Sequence, residues 1–159
     1  MRNLKKILLL LFIMVVGFGI QGRANANEQE ALAFFHNYVN SANSYSSSLL
    51  GMYSPNARII RQVIKPNGQL ANATFSMRDY KHQMILSSKI ARIRHYKNYY
   101  SNISVSKDGS GYKIVSYRTP STGGGRLKTI MVVEKIGGKW QITEELMQTR
   151  EQILLKYAK

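Results

Sequence analysis

The chain has 159 residues, no cysteine, and 23 Lys and Arg against 8 Asp and Glu, a formal net charge of +15. That length suits one domain, and an apolar content of 44% excludes wholesale disorder. Without cysteine there is no disulfide framework, Cys-based zinc site, cysteine nucleophile or lipoprotein anchor, while the surplus of base calls for an acidic partner or surface.

The N-terminus reads as an export signal. Arg2, Lys5 and Lys6 precede an apolar run from Ile7 to Ile20, and Ala24-Asn25-Ala26 supplies the small-residue end of a secretory signal peptide over residues 1–26. As a helix the run reaches about 21 Å against roughly 30 Å of hydrocarbon, so a retained membrane span is the weaker reading. Cleavage after Ala26 predicts a periplasmic or secreted domain with no stable membrane span. It also removes four bases and no acid, leaving 19 basic against 8 acidic groups, a net of +11.

Residues 28 to 50 carry Ala31, Phe34, Phe35, Tyr38, Val39 and Ala42 at helical spacing. The Ser/Asn-rich stretch Asn40 to Ser48 predicts a break or a second short helix, and Gly51 with Ser54-Pro55-Asn56 ends the region. Ala57 to Lys65 and Leu70 to Phe75 form a predicted hairpin around the turn Pro66-Asn67-Gly68. Ser76-Met77-Arg78-Asp79 has capping-box spacing, with Asp in place of Glu, and opens a second helix with Met77, Tyr80, Met84 and Ile85 as its stripe. A long strand is expected from Ala91 to Val105, then strands at Tyr112 to Arg118, Leu127 to Ile136 and Trp140 to Met147, separated by glycine-containing turns. The domain spans 27–147, and residues 148–159 read as a short basic tail with helical character.

This order is α+β: a curved antiparallel sheet wrapped around N-terminal and middle helices. Three stretches are similar to the nuclear-transport-factor-2-like (cystatin-like, SnoaL-like) superfamily. Ser76 to Lys81 resembles its capped middle helix, Ala91 to Val105 its long bent strand, and Gly137-Gly138-Lys139-Trp140-Gln141-Ile142 the turn opening its last strand. The resemblance implies a cone-shaped cavity between sheet and helices, with Phe35, Tyr38, Tyr99 and Trp140 as lining. The superfamily holds isomerases, dehydratases, cyclases, binding modules and secretion-apparatus subunits, so fold alone does not give function.

Enzymes of this architecture need a desolvated base in the cavity. Asp79 and His82 resemble the Asp/His dyads of some members; equally, Asp79 caps its helix and His82 faces water. Strand parity puts His95 and Tyr99 on one face with Ile93, Ile103 and Val105, unless a bulge intervenes. Glu144 shares parity with Trp140, Ile142 and Leu146, or else sits at the sheet rim paired with a Lys or Arg. His36 reads as a packed or surface residue. Three scattered histidines give no zinc spacing, and neither a P-loop, a nucleophile elbow nor a dinucleotide fingerprint occurs, so no metal or cofactor is expected.

The other strand face is predicted to interleave Arg92, Arg94 and Tyr96 with Asn98, Tyr100 and Asn102, extended by Lys113, Arg118, Arg126 and Lys128. That pattern suits a polyanion, and export makes nucleic acid an unfavoured partner compared with anionic lipid, envelope polymers or acidic protein. The sequence thus points to an exported, non-catalytic binding module holding a small apolar ligand or a peptide, and the family resemblance implies a homodimer through the sheet as one assembly. The alternatives are a periplasmic isomerase or dehydratase-like enzyme, and a subunit of an envelope secretion assembly.

Overall fold

A computed structural model describes residues 25–158. Helix α1 (Ala26–Asn43) is followed by a 3-10 turn (Ser47–Met52), then strands β1 (Tyr53–Ile64) and β2 (Leu70–Phe75). Helix α2 (Met77–Ile93) leads into β3 (Asn98–Asp108), β4 (Gly111–Pro120), β5 (Leu127–Ile136) and β6 (Lys139–Thr149), and a last 3-10 turn (Gln152–Tyr157) closes the chain. The six strands lie in the order β2-β1-β6-β5-β4-β3. All neighbours are antiparallel except β1 and β6, whose parallel pairing joins the two halves of the sheet. Among the described residues no helix is long and apolar enough to cross a membrane. Residues 1–24 of the expected signal segment lie outside the described ones. Asn25 caps α1, its side chain accepting from the Asn27 N–H at 3.2 Å.

The core grows from simple periodicity. Ala31, Phe35 and Tyr38 lie one and two turns apart on α1 and are buried against the sheet. Phe35 meets Tyr100 of β3 edge-on, ring centroids 5.4 Å apart. On the sheet, β4 buries Tyr112, Ile114, Ser116 and Arg118, opposite Val133, Met131, Thr129 and Leu127 of β5. One pair of these is polar: Ser116 and Thr129 hydroxyls satisfy each other at 2.6 Å. Asn43 and Asn98 exchange hydrogen bonds of 2.9 Å in both directions, fastening the end of α1 to the start of β3.

Several boundaries differ from the sequence reading, each for a local reason. Strand β1 starts at Tyr53 and runs through Ser54-Pro55-Asn56, because Pro55 falls where β1–β6 pairing is interrupted between Tyr53 and Arg58. Helix α2 continues to Ile93, so Ala91 to Lys97 is not strand. Ile93, in parity with Ile103 and Val105, suggested β structure, yet the capped helix carries on until the Arg94 N–H bonds Ile90 O at 3.0 Å and His95 takes a left-handed φ of 51°. Two bulges follow. One lies between Ser101 and Ser104, where Asn102 has φ 51°; the other sets Val132 and Val133 against Glu144 and Ile142 and leaves Thr143 over. The expected tail is fastened: Gln152 Nε2 donates to Ile64 O at 2.9 Å, Tyr157 packs on Phe75 at 5.2 Å, and Ala158 bridges Ala73 on edge strand β2.

Gly111 opens β4 where any Cβ would collide with the carbonyl oxygen of Val133, a backbone atom that cannot swing aside. Gly111→Ala is expected to cost about 3 kcal/mol by forcing β4 and β5 apart. Urea unfolding measures it, and an unchanged midpoint would show that the two strands tolerate separation.

Candidate functional site

Inside the cone the chain has built a polar cluster around one carboxylate. Glu145 of β6 has no exposed surface. The Thr143 bulge turns it inward, since Ile142 is already an inward residue and strict alternation would have chosen Glu144. Tyr53 and Tyr38 donate their hydroxyls to Glu145 Oε2 at 2.5 and 3.0 Å, and Tyr80 donates to Oε1 at 3.4 Å. Arg61 of β1 sets a guanidinium nitrogen 2.7 Å from Oε1 and donates to the Tyr80 hydroxyl at 2.9 Å. Four side chains from three elements therefore converge on two oxygens, each donor meeting an acceptor.

Burial raises the phenols of Tyr38, Tyr53, Tyr80 and Tyr100, and the nearby Glu145 charge raises them further. Tyr80 is pushed up to about 12. Burial pulls the Arg61 guanidinium down, but the Tyr80 oxygen and the Glu145 carboxylate outweigh that and hold it protonated. Each phenol is under 10% exposed for Tyr38, Tyr53 and Tyr80, so the cluster is a sealed structural knot.

Open space lies elsewhere. A groove of about 980 Å³ runs between the C-terminal half of α2 and the segment joining α1 to the first 3-10 turn. Leu49, Leu50, Met84 and Ile85 supply aliphatic wall, while Lys89 and Arg92 bring positive charge to it. Tyr45, in a left-handed conformation with φ 57°, braces one end by donating to Tyr96 O at 2.9 Å. Arg92 is held there too, donating to Tyr45 O at 3.2 Å with its guanidinium 6.0 Å from the Tyr45 ring.

The residues singled out by the sequence fall as follows. Asp79 is the helix cap: its N–H donates to Ser76 Oγ at 3.1 Å, and Ser76 Oγ donates back to its carboxylate at 2.6 Å. His82 is exposed on α2, and His95 is exposed in the turn after it. Glu144 is not at the rim but half-buried in the middle of the interior strand β6, in an ion pair with Arg58 at 2.6 Å. These four are not brought together. Tyr99 points outward, 61% exposed, because the parity that predicted it inward assumed a strand from Ala91 without a bulge. Tyr100 faces the core instead. Phe35 and Tyr38 are core, and His36 is exposed. Trp140 packs edge-on to Tyr112 and donates to Glu30 at 3.1 Å; that bond and Lys135 hold the Glu30 carboxyl below its usual range. None of Phe35, Tyr38, Tyr99 and Trp140 lines the groove.

The predicted basic sheet face is likewise dismantled. Arg92 and Arg94 belong to the end of α2, and Tyr96 lies in the link to β3. Arg118 is 8% exposed and structural, donating to Tyr96, Asn98 and Gln148 O. Lys113 and Lys128 are half-buried on β4 and β5, and Arg126 lies over the Tyr117 ring at 4.6 Å.

No protein-family model matches the chain, and no curated protein matches its sequence. Solved structures do. An NTF2-like protein of unknown function from Pseudomonas putida superposes with a TM-score of 0.60 at 12% identity, over 80% of this chain and 89% of the other. A protein of unknown function with a cystatin-like fold from Nostoc punctiforme gives 0.56 at 13%, covering 79% and 93%. An NTF2-like protein with a cystatin-like fold from Novosphingobium aromaticivorans gives 0.54 at 11%, covering 98% and 96%. The chain has the NTF2-like, cystatin-like fold.

Glu145→Gln keeps an acceptor for the tyrosines but strips Arg61 of its countercharge, and Arg61→Met does the converse. Each is expected to cost about 3 kcal/mol, with the double variant recovering most of it, since breaking a buried pair costs more than removing it. A urea double-mutant cycle with additive losses would show that the two groups are not coupled. The phenols give a second expectation. Because the folded value of Tyr80 is raised, its contribution to stability is whole below pH 10 and is lost as pH climbs through 10 toward about 12. Tyrosinate absorbance followed with circular dichroism should show the late phenols ionising only as the fold is lost.

Proposed function

We propose that this protein is a non-catalytic binding module that holds an elongated amphipathic ligand, an aliphatic chain or peptide with an anionic end, in the groove beside α2. The observation that supports it is the groove itself. Its volume is at the upper end of the roughly 300–1,000 Å³ typical of small-molecule sites, its walls mix aliphatic side chains with serine hydroxyls, and it carries two cations and no acid. Apolar walls bury the ligand's body, and Lys89 and Arg92 fix which end sits where. Arg92 is already immobilised on Tyr45, so binding spends less side-chain entropy on it. The exposed or capped state of Asp79, His82 and His95, and the pairing of Glu144 with Arg58, leave the acid-base reading without a constellation. Export by the N-terminal segment would place this module outside the cytoplasm, where such ligands come from envelope material.

The test uses anilinonaphthalene sulfonate, an apolar anion that brightens on burial. Ser88→Trp, which fills the groove, and Arg92→Glu, which reverses its charge, are each expected to weaken probe binding about tenfold while leaving the melting temperature unchanged. Wild-type binding by both variants would sink the reading.

A further inference from the structure

Helix α2 has a second apolar stripe that the fold does not use. Met77, Tyr80 and Met84 face the core at spacings of three and four. Leu86, Ile90 and Ile93 recur at i, i+4 and i+7 on the opposite side, roughly half a turn away. They are 68%, 54% and 78% exposed. Isolated exposed aliphatics need no explanation, but three aligned on one helix face do.

Charge around the stripe is one-sided. From Tyr80 to Lys107 the sequence contains Lys81, Lys89, Arg92, Arg94, Lys97 and Lys107 and no acidic residue. Lys89 flanks the stripe on one side, Arg94 on the other, and Lys97 follows just beyond. Among the described residues none of these bases is in an ion pair. A second copy of the chain is a poor occupant, because a two-fold contact through this face would set its bases against their own images. An acidic lipid surface satisfies both features together. Isoleucine and leucine enter the boundary between headgroups and acyl chains, while Lys and Arg lie along it and reach the phosphates.

We propose that the outward face of α2 is a membrane-docking surface for an anionic lipid bilayer, with Leu86, Ile90 and Ile93 inserted and Lys89, Arg94 and Lys97 on the phosphates. The helix is presented ready-made. Tyr80, one turn from its start, is tied into the Glu145 cluster, so docking carries no cost of folding the helix. This surface is distinct from the groove, which opens on the Met84 and Arg92 side; Lys89 and Ile93 lie at the border of both, whereas Leu86, Ile90, Arg94 and Lys97 do not line the groove.

A chain without cysteine permits a site-specific test that is blind to the apolar Ile7–Ile20 run. Gln83→Cys, exposed beside the stripe, and Ser106→Cys, exposed on β3, each take an environment-sensitive fluorophore in the full chain. With phosphatidylcholine vesicles containing phosphatidylglycerol, the Gln83→Cys label is expected to shift to an apolar spectrum and be quenched by spin-labelled lipid, and the Ser106→Cys label to stay aqueous. Vesicles of phosphatidylcholine alone should give at least about a tenfold weaker response. Leu86→Ser with Ile90→Ser, and separately Lys89→Glu with Arg94→Glu, should each cut the response on anionic vesicles by about tenfold or more. The first pair should leave anilinonaphthalene sulfonate binding intact, which separates this surface from the groove. A Gln83→Cys label that stays aqueous on anionic vesicles overturns the proposal. So does a response indifferent to the stripe substitutions, or a spectral shift that appears without vesicles as protein concentration rises, the mark of self-association.

Discussion

Everything inside the cone is arranged around Glu145. A carboxylate with no exposed surface is tolerable only when every lone pair is answered, and here the answers come from α1 through Tyr38, β1 through Tyr53 and Arg61, and α2 through Tyr80. Helix α2 packs on the sheet chiefly through β1, and only its first turns are buried. The cluster is therefore what seats α2, and through α2 it sets the position of both the groove and the exposed stripe. A hydrophobic core of equal volume would fill the same space with less directional demand. The polar version specifies which residue of each element must face inward, which is a reason to regard it as a device of register.

Filling the cone has a consequence for function. Where the fold resemblance implied a cavity between sheet and helices, aromatic rings and the Arg61–Glu145 pair occupy that room. The available volume moves to the side, between α2 and the end of α1, where the Ser/Asn-rich stretch cannot sustain a helix. Tyr45 in its left-handed conformation redirects the chain there, and the bend leaves the groove. The same local weakness that ends α1 is thus the origin of the groove beside α2.

Much of the fold was legible because its signals are local. The Pro66-Asn67-Gly68 turn, the Ser76 cap and the strand β2 boundaries at Leu70 and Phe75 are each read from a few neighbouring residues. The site was less legible because it depends on parity across bulges. Each bulge adds one residue and inverts every parity inference carried across it. Asn102 moved Tyr99 out and Tyr100 in, and Thr143 made Glu145, not Glu144, the buried acid. Asn102 is a residue type that tolerates positive φ, and a doubled Glu144-Glu145 is a place where either side chain can face in, so both signals were present but not decisive. Reading Ala91 to Lys97 as strand had another cause. β-branched residues favour strands only when something packs on them, and here the helix holds them against nothing.

The excess charge acquires a physical account from where the acids sit. Glu30 pairs with Lys135, Glu144 with Arg58 and Glu145 with Arg61, while Asp79 caps α2 and Glu134 accepts from Ser110 and Thr143. Five of the 8 acidic groups are thus engaged in holding elements together, and they lie on the interior strands of the sheet, in the core or in the first turns of a helix. Among the described residues none forms an ion pair with the bases from Lys81 to Lys107. A basic surface of this kind is not spread evenly. It accumulates along the later part of α2 and the link to β3, where no structural task calls for a carboxylate. Screening shortens its reach to about 8 Å at physiological salt, so only a partner that comes into contact feels the whole of it. The charge and the unpaired apolar stripe occupy the same helix, and neither alone would specify what meets that face. An apolar partner would strand the bases, an acidic soluble one would leave the aliphatics wet, and a surface with both characters in depth order leaves neither unsatisfied.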